Sequence, residues 1–533
     1  MSSLNHFSKS SRVYINAIFI AAIVIYLVLG QVLIWNIPYS FPFGGPDEIM
    51  HLSMADYISK HLSWPDWDSL EVVRNAYGVS YSAGGSIVYW LHGLSLKLFG
   101  YHRVGAFLLL VVYLLLTIFA YRKNAIAGFI LLAALLPQTL FIFSYVNSDI
   151  GTVISAILLG MGVGMFVTGE DRVKNLFILF FFAGLAVTAR QHLWAIAFIT
   201  LIWAIVYKRK VLYGYDKKIL LYAVLIALIP ASWWFITSYL ANDGDILGVF
   251  TNAKSIAKFS TGNLPILSRE WADISLIDFL YETGISLYAN WGWMSLGLNS
   301  YEYISVLIVA ILIIFFVYRN IDIKIFLFFV MLIATNFGFM LLYSTFYDYQ
   351  AQGRYLFPSI YIIVGVISAI VVKKEVVSKS LLILLIILTI QNLYFSSKLT
   401  LFSYVDVFQQ KPVVYINDSE QYFTDVQYHI DQWQIIDGKL LLRGWIFNSK
   451  NGRSFKSVHL VLKNGEKFYK VELQKDTRVD VSTAFKSSNL DSSGFSAKMI
   501  DLRELEKGTY KYLFAVPVDS RTMFIDINQS LTI

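Results

Sequence analysis

Residues 13–51 read VYINAIFIAAIVIYLVLGQVLIWNIPYSFPFGGPDEIMH. From Val13 to Pro46 no residue carries a charge, and the stretch exceeds the roughly 20 residues with which a helix crosses a bilayer. A Gly44-Gly45-Pro46 turn then leads into two adjacent carboxylates, Asp47 and Glu48, and His51 follows three residues later. Acids held where a helix leaves the hydrocarbon can serve as a base or a metal ligand, which makes this segment a candidate site of chemistry.

The rest of the chain agrees with a membrane reading. Of 533 residues 57% are hydrophobic and only 15% charged, against about a quarter charged in soluble proteins. There is no cysteine, which excludes disulfides, thiolate zinc sites and cysteine nucleophiles. The net charge of +7 does not point to nucleic acid, because the basic residues sit in short clusters between apolar runs. No small-residue cleavage site follows the first run, so it is read as an anchor.

Apolar runs near 13–36, 104–120, 125–143, 150–167, 176–189, 193–207, 219–239, 302–318, 325–343, 355–372 and 380–396 predict about 11 transmembrane helices. The pair at 176–189 and 193–207 is short, and Arg190-Gln191-His192 between them suggests a tight hairpin. Lys9 and Arg12, Arg122-Lys123, Arg172 and Lys174, Lys208-Arg209-Lys210, Arg319 and Lys324, and Lys373-Lys374 with Lys379 make basic clusters in every other loop. The positive-inside rule then places the N-terminus in the cytoplasm. The loops at 41–102 and 240–301 fall outside, in a bacterial inner (cytoplasmic) membrane. Segment 83–99, with His92 and Lys97, reads as an interfacial helix and not a span.

After about residue 400 the long apolar runs stop and period-two alternation begins, as in Lys439 to Phe447, Ser457 to Leu462, Lys467 to Leu473 and Thr509 to Val516. Turns at Asn464-Gly465 and Lys507-Gly508 separate short strands, so residues 401–533 are expected to form a soluble β-sandwich domain on the periplasmic or extracellular side. Residues 1–400 form the transmembrane domain.

Polar residues that lipid would penalise collect on the expected outer face: Asp47, Glu48, His51, Asn147, Asp149, Arg190, His192, Trp291, Trp293, Gln352 and Arg354. Taken singly, each has a plainer explanation. Asp47-Glu48 would suit a helix start, Asn147 and Asp149 a helix cap, the arginines headgroup contact, and the tryptophans an interfacial belt. Taken together, a carboxylate with two arginines at a membrane pocket fits transfer from a lipid phosphate. The carboxylate would deprotonate an acceptor hydroxyl, and the arginines would hold the departing phosphate. Two distant histidines are not a metal-ligand set, although adjacent carboxylates leave room for a divalent cation such as Mg, Mn or Ca.

Pro46-Asp47-Glu48 with His51 after the first run, Asn147-x-Asp149 after Pro137, Trp291-Gly292-Trp293, and Gln352-Gly353-Arg354-Tyr355 with Pro358 resemble motifs of the bacterial C-type (GT-C) integral-membrane glycosyltransferases. They are most similar to a Pro-Asp-Glu / Gln-Gly-Arg-Tyr group of predicted membrane proteins. The resemblance spans roughly residues 13–372. It implies a polyprenyl-phosphate sugar donor on the outer face, inversion at the anomeric carbon, Asp47 as base, Glu48 as its neighbour or a metal ligand, and Arg190 and Arg354 as phosphate contacts. The C-terminal part is similar to β-sandwich modules appended to glycan enzymes. Its Trp433, Trp445 and Tyr469 fit either sugar stacking or a packed core.

The function expected is an inverting hexosyltransferase acting on a surface or lipid-linked glycan such as O-antigen or a wall polymer. Its partners are the lipid-linked donor, a glycan acceptor and the bilayer, with no nucleic acid. Two alternatives remain, an O-antigen polymerase or ligase and a lipid-sugar transporter.

Overall fold

The protein is described here by a computed structural model covering residues 8–37, 45, 47–74, 78, 80–82, 86–169, 172–260, 274–291, 296–346, 349–374, 378–401, 414–416, 425–436, 439–465, 467–476, 478, 481–482, 485, 487–502, 505, 507–518 and 521–532. Of the Gly-Gly-Pro turn only Gly45 falls among these residues, and Ala83, Gly84 and Gly85 lie outside them. The chain divides into two compact units, Met1–Thr400 and Leu401–Ile533.

The first unit is helical: α1 (Lys9–Asn36), α2 (Glu48–His61), α3 (Val88–Phe99), α4 (Val104–Lys123), α5 (Ala125–Ala134), α6 (Pro137–Ile142), α7 (Asp149–Thr168), α8 (Arg172–Val187), α9 (His192–Tyr207) and α10 (Arg209–Leu212). It continues through α11 (Lys217–Ala241), α12 (Val249–Phe259), α13 (Leu276–Tyr288), a two-stranded ribbon of β1 (Asn290–Trp291) and β2 (Leu296–Gly297), α14 (Ser300–Asn320), α15 (Ile323–Phe346), a 3-10 turn at Gly353–Leu356, α16 (Phe357–Lys374) and α17 (Lys379–Thr400). Among the described residues eight helices are long and apolar enough to cross a membrane. Polar side chains set their ends: Ser8 accepts from the Ser11 N–H at the start of α1, and Asn299 and Glu302 form a reciprocal capping box on α14.

Three of the eleven expected runs take another form. Those at 176–189 and 193–207 become α8 and α9, of 16 residues each. The run at 125–143 is broken: α5 ends after Ala134, and α6 restarts at Pro137. Proline has no N–H to give to the preceding turn and its ring crowds the carbonyl four residues back, so a helix is weakened there, and here it ends and restarts with Pro137 in the first turn of α6. Inside a bilayer the carbonyls released by such a break need partners from the protein itself. The fold supplies them. Tyr113 donates to the Leu131 carbonyl (2.7 Å), Asn392 to Ala133 (2.8 Å), Tyr361 to Ala134 (2.7 Å) and Tyr26 to Leu135 (3.1 Å), and Trp291 anchors the restart through the Pro137 carbonyl (3.0 Å).

Helix α7 is the most enclosed of the span-length helices. It packs on α16 through glycines: a Cβ on Gly160 would lie 2.1 Å from the Ile362 carbonyl oxygen, and one on Gly365 2.3 Å from that of Ile157. Small residues let the two backbones touch, which is how helices gain dispersion contact where lipid offers no hydrophobic drive. The loop at 41–102 holds α2 and α3, with His92 buried, and the loop at 240–301 holds α12, α13 and β1.

The second unit contains β3 (Val414–Ile416), β4 (Val426–Ile436), β5 (Lys439–Asn448), β6 (Arg453–Ser454), β7 (His459–Asn464), β8 (Lys467–Glu472), β9 (Gln474–Asp476), β10 (Gly494–Asp501), β11 (Thr509–Val518) and β12 (Arg521–Thr532). Two antiparallel sheets form, ordered β4-β5-β10-β9 with β6 beside β5, and β12-β11-β7-β8-β3. Alternate residues of both sheets, including Leu440, Leu442, Phe495, Leu460, Tyr512 and Phe514, close one apolar core. Trp433 stands edge-on to Tyr512 at 4.5 Å and Tyr469 lies 5.9 Å from Tyr510, both packed against that core. Trp445 stacks on Phe447 at 5.7 Å. Trp433 and Tyr469 thus pack on the core, while Trp445 is half-buried in a separate cluster with Phe447, Val481 and Leu490.

The broken run yields a test. Replacing Asn392 by leucine leaves the Ala133 carbonyl without its donor and the Tyr288 hydroxyl without its 2.7 Å acceptor. Two orphaned buried groups cost roughly 2–6 kcal/mol. Asn392→Leu is therefore expected to unfold at clearly lower temperature in detergent. A melting curve matching wild type would show that the break does not depend on this side chain.

Candidate functional site

The site begins with an arginine that the sequence did not single out. Arg103, fully buried ahead of α4, donates from Nε to Glu48 Oε1 (2.8 Å) and from Nη2 to Glu48 Oε2 (2.7 Å). Its Nη1 donates to the Ile34 and Ile37 carbonyls at the end of α1 (3.2 and 2.5 Å). Glu48 Oε1 also accepts the Val146 N–H at 3.1 Å. The guanidinium thus ties the end of α1, the start of α2 and its own place before α4, and through Glu48 it reaches the turn that follows α6. A buried bidentate pair with its remaining hydrogen-bond capacity met in this way is expensive to break.

With Glu48 fixed, Asp47 is held in the left-handed region at φ 58°, a conformation that costs most side chains 1–2 kcal/mol and that Asp tolerates better. Its carboxylate accepts from the Tyr81 hydroxyl at 3.2 Å. One turn on, His51 stacks against Tyr81 with ring centres 4.0 Å apart, and its Nδ1 is hydrogen-bonded to the Tyr89 hydroxyl. Burial pushes the His51 imidazole well below the usual histidine range, and Arg190 adds to the effect. Its ring is neutral and supports Tyr81 from beneath. Burial also raises Tyr81, which stays a hydroxyl donor.

The second half of the site comes from the broken helix and two turns. Asn147 accepts from the Ile150 N–H (3.2 Å) and donates to the Ile142 and Tyr145 carbonyls (2.8 and 3.0 Å), so it shapes the turn that sets Asp149 at the head of α7. Arg190, between α8 and α9, donates to Asp149 Oδ1. Arg354, in the 3-10 turn, brings Nη1 to 3.8 Å from Asp149 Oδ2 and lies 5.4 Å from the centre of the Tyr355 ring. Its position depends on Gly353, where a Cβ would sit 2.2 Å from the Leu287 nitrogen. The Arg354 Nε is buried without a hydrogen-bond acceptor. Beside these groups lies a cavity of about 520 Å³, lined among others by Tyr81, Arg190, His192, Tyr355, Asn252 and Asn336.

The expected residues therefore separate. Asp47, His51, Asp149, Arg190, His192 and Arg354 are brought into one electrostatic neighbourhood. Glu48 is not available as a base or metal ligand, because Arg103 and Val146 take both its oxygens. The adjacent carboxylates thus serve separate partners. Among the described residues no three His, Asp or Glu side chains gather as a cation site. Asn147 is a turn residue. Gln352 donates to the Gln350 carboxamide at 2.6 Å. Trp291 is fully buried and stacks on Phe141 at 5.3 Å, which removes it as a ligand platform. Trp293 lies outside the described residues. The sequence reading missed Tyr81, Tyr89 and Arg103. For Arg103 a signal existed, since a charge heading an apolar run calls for a counter-charge; nothing in spacing marks the tyrosines.

Two cations opposed in contact by one carboxylate can receive an anion, and a carboxylate under a phenol hydroxyl can accept a proton.

The family model described as predicted membrane protein (DUF2142) matches residues 77–393, more than half of the chain, and the protein belongs to that family. The matched span contains Arg103, Asp149, Arg190 and Arg354 and begins beyond Asp47. No curated protein matches. Two crystal structures of ArnT from Cupriavidus metallidurans are similar in fold, one in the apo state and one bound to undecaprenyl phosphate. Their TM-scores are 0.42 and 0.41 at 14% and 15% identity, and the matches cover 67% and 70% of this chain. The chain spans about three fifths of that protein, 60% and 61% in the two structures.

The neighbouring acids should respond differently to the same substitution. Glu48→Gln leaves a buried guanidinium without its counter-charge and is expected to cost about 3–5 kcal/mol. Asp47→Asn, with one tyrosine partner, should stay within about 1 kcal/mol of wild type. Denaturation in detergent checks both, and equal losses would contradict the division of labour.

Proposed function

We propose that this membrane protein of the DUF2142 family is an inverting glycosyltransferase that moves a sugar from a polyprenyl-phosphate donor to a surface or lipid-linked glycan on the outer face of the membrane. The observation that carries the reading is the pairing of Arg190 and Arg354 on Asp149 beside a cavity that also reaches the Tyr81 partner of Asp47. The motif resemblance along the sequence supplies the reaction class.

In this reading the donor phosphate lies on the arginine pair. Asp47 removes the proton from an acceptor hydroxyl, and the acceptor oxygen forms a bond to the anomeric carbon from the face opposite the phosphate. The carbon–oxygen bond to phosphate breaks, and its electron pair leaves with the phosphate, which becomes a monoester. The proton ends on Asp47. Tyr81 aims the carboxylate, and the Arg103–Glu48 pair keeps Asp47 in its left-handed conformation. A preorganised cationic pair, with Arg190 lining the cavity, acts on the charge that develops on the leaving oxygen.

Transfer from synthetic polyprenyl-phosphate sugars to native surface glycan in proteoliposomes tests this, with chelator and with added Mg²⁺, Mn²⁺ or Ca²⁺. Asp47→Asn is expected to lose about 10²–10⁴-fold in rate, the usual contribution of a general base, while keeping wild-type stability. Full activity in Asp47→Asn would remove Asp47 as base. No transfer by wild type from any such donor would favour a polymerase, ligase or transporter.

A further inference from the structure

Asp149 sits where a phosphate would bind. Its carboxylate already occupies both cations of the site: Arg190 donates to Oδ1, and Arg354 stands 3.8 Å from Oδ2. The carboxylate is almost fully buried, and so is the Arg354 side chain. An enzyme that needed only the tightest hold on phosphate would leave two arginines unopposed, since every added cation strengthens binding of a dianion more than of a monoanion. Here the contact set carries two positive charges and one negative, and Asp47 on Tyr81 adds another negative charge to the neighbourhood.

We infer that Asp149 is a charge-selecting residue that makes the arginine pair prefer a singly charged phosphodiester over a doubly charged phosphomonoester, so that the site disfavours its own product. This rests on the phosphate reading of the arginine pair. A phosphodiester carries one negative charge, which completes neutrality with Arg190, Arg354 and Asp149. Cleavage of the ester to the sugar leaves a monoester, whose second ionisation lies near pH 6. Once Asp47 has returned its proton to water, that dianion faces an excess negative charge held in place by Asp149. The charge mismatch drives the lipid phosphate out and frees the site for the next donor. In this arrangement Asp149 does not touch the reacting carbon. It sets which charge state stays.

The test uses binding alone, so it does not depend on knowing the sugar or the acceptor. Dodecyl phosphate and its methyl diester are titrated against the full-length protein in detergent at pH 8 by calorimetry. Wild type should bind the diester at least as tightly as the monoester. Asp149→Asn should shift the affinity ratio toward the monoester by about tenfold to 10³-fold, the range for one removed charge acting on one extra ligand charge between water-like and protein-like dielectric. Asp149→Glu should keep the wild-type preference, and Arg354→Gln should weaken both ligands. A wild-type protein that binds the monoester more tightly than the diester would overturn the inference, whether or not the Asn variant folds. An unchanged ratio in a folded Asp149→Asn would also overturn it while leaving the phosphate site standing. If neither lipid binds wild type, or if Arg354→Gln alters neither affinity, the phosphate reading itself falls and takes the inference with it.

Discussion

The buried pair of Arg103 with Glu48 is the constraint on which the site depends. A guanidinium at zero exposure, bonded to both oxygens of one carboxylate and to the Ile34 and Ile37 carbonyls at the end of α1, joins segments that are far apart in sequence. In a low-dielectric interior such a pair contributes little net stability when whole, but losing one partner strands a charge. That asymmetry makes it a geometric lock. It divides two adjacent acids into unlike roles: Glu48 is consumed by structure, and Asp47 is left in a strained backbone conformation with its carboxylate turned to Tyr81.

The broken run after α4 does the corresponding job for the other half of the site. The turn that carries Val146 to Glu48 and Asp149 to the arginines follows α6, so the restart at Pro137 sets where the short helix delivers it. The break is tolerated because Tyr26, Tyr113, Tyr361, Asn392 and Trp291 supply the hydrogen bonds that lipid cannot. Glycine contacts then seat α7 against α16 closely enough for Arg354, one turn ahead of α16, to approach Asp149 at the head of α7. Irregular backbone and ionisable side chains thus appear together, each making the other affordable.

What could be read from the sequence follows from how local the deciding physics is. Long uncharged runs and period-two alternation are local, so the division into a helical membrane part and a sheet part was legible. The acids, arginines and His192 were legible as a group because alternating basic loops placed them on one face. The break at Pro137 was not, since hydropathy registers only apolar residues, and the partners of the freed carbonyls come from positions 26 to 392. Nor could spacing separate Glu48 from Asp47: the choice is made by Arg103, 55 residues on. Trp291 reads as a belt residue or a ligand platform until the Pro137 carbonyl is seen at its indole nitrogen.

The central claim is that Arg190 and Arg354 form a receptor for a lipid phosphate beside Asp47. A cryo-electron microscopy structure of the full-length protein with a short-chain polyprenyl phosphate tests it most directly. The account predicts phosphate density between the two guanidinium groups, in contact with both, with the isoprenoid leaving toward the bilayer. Phosphate density elsewhere, with Asp149 still closed on both arginines, would contradict it.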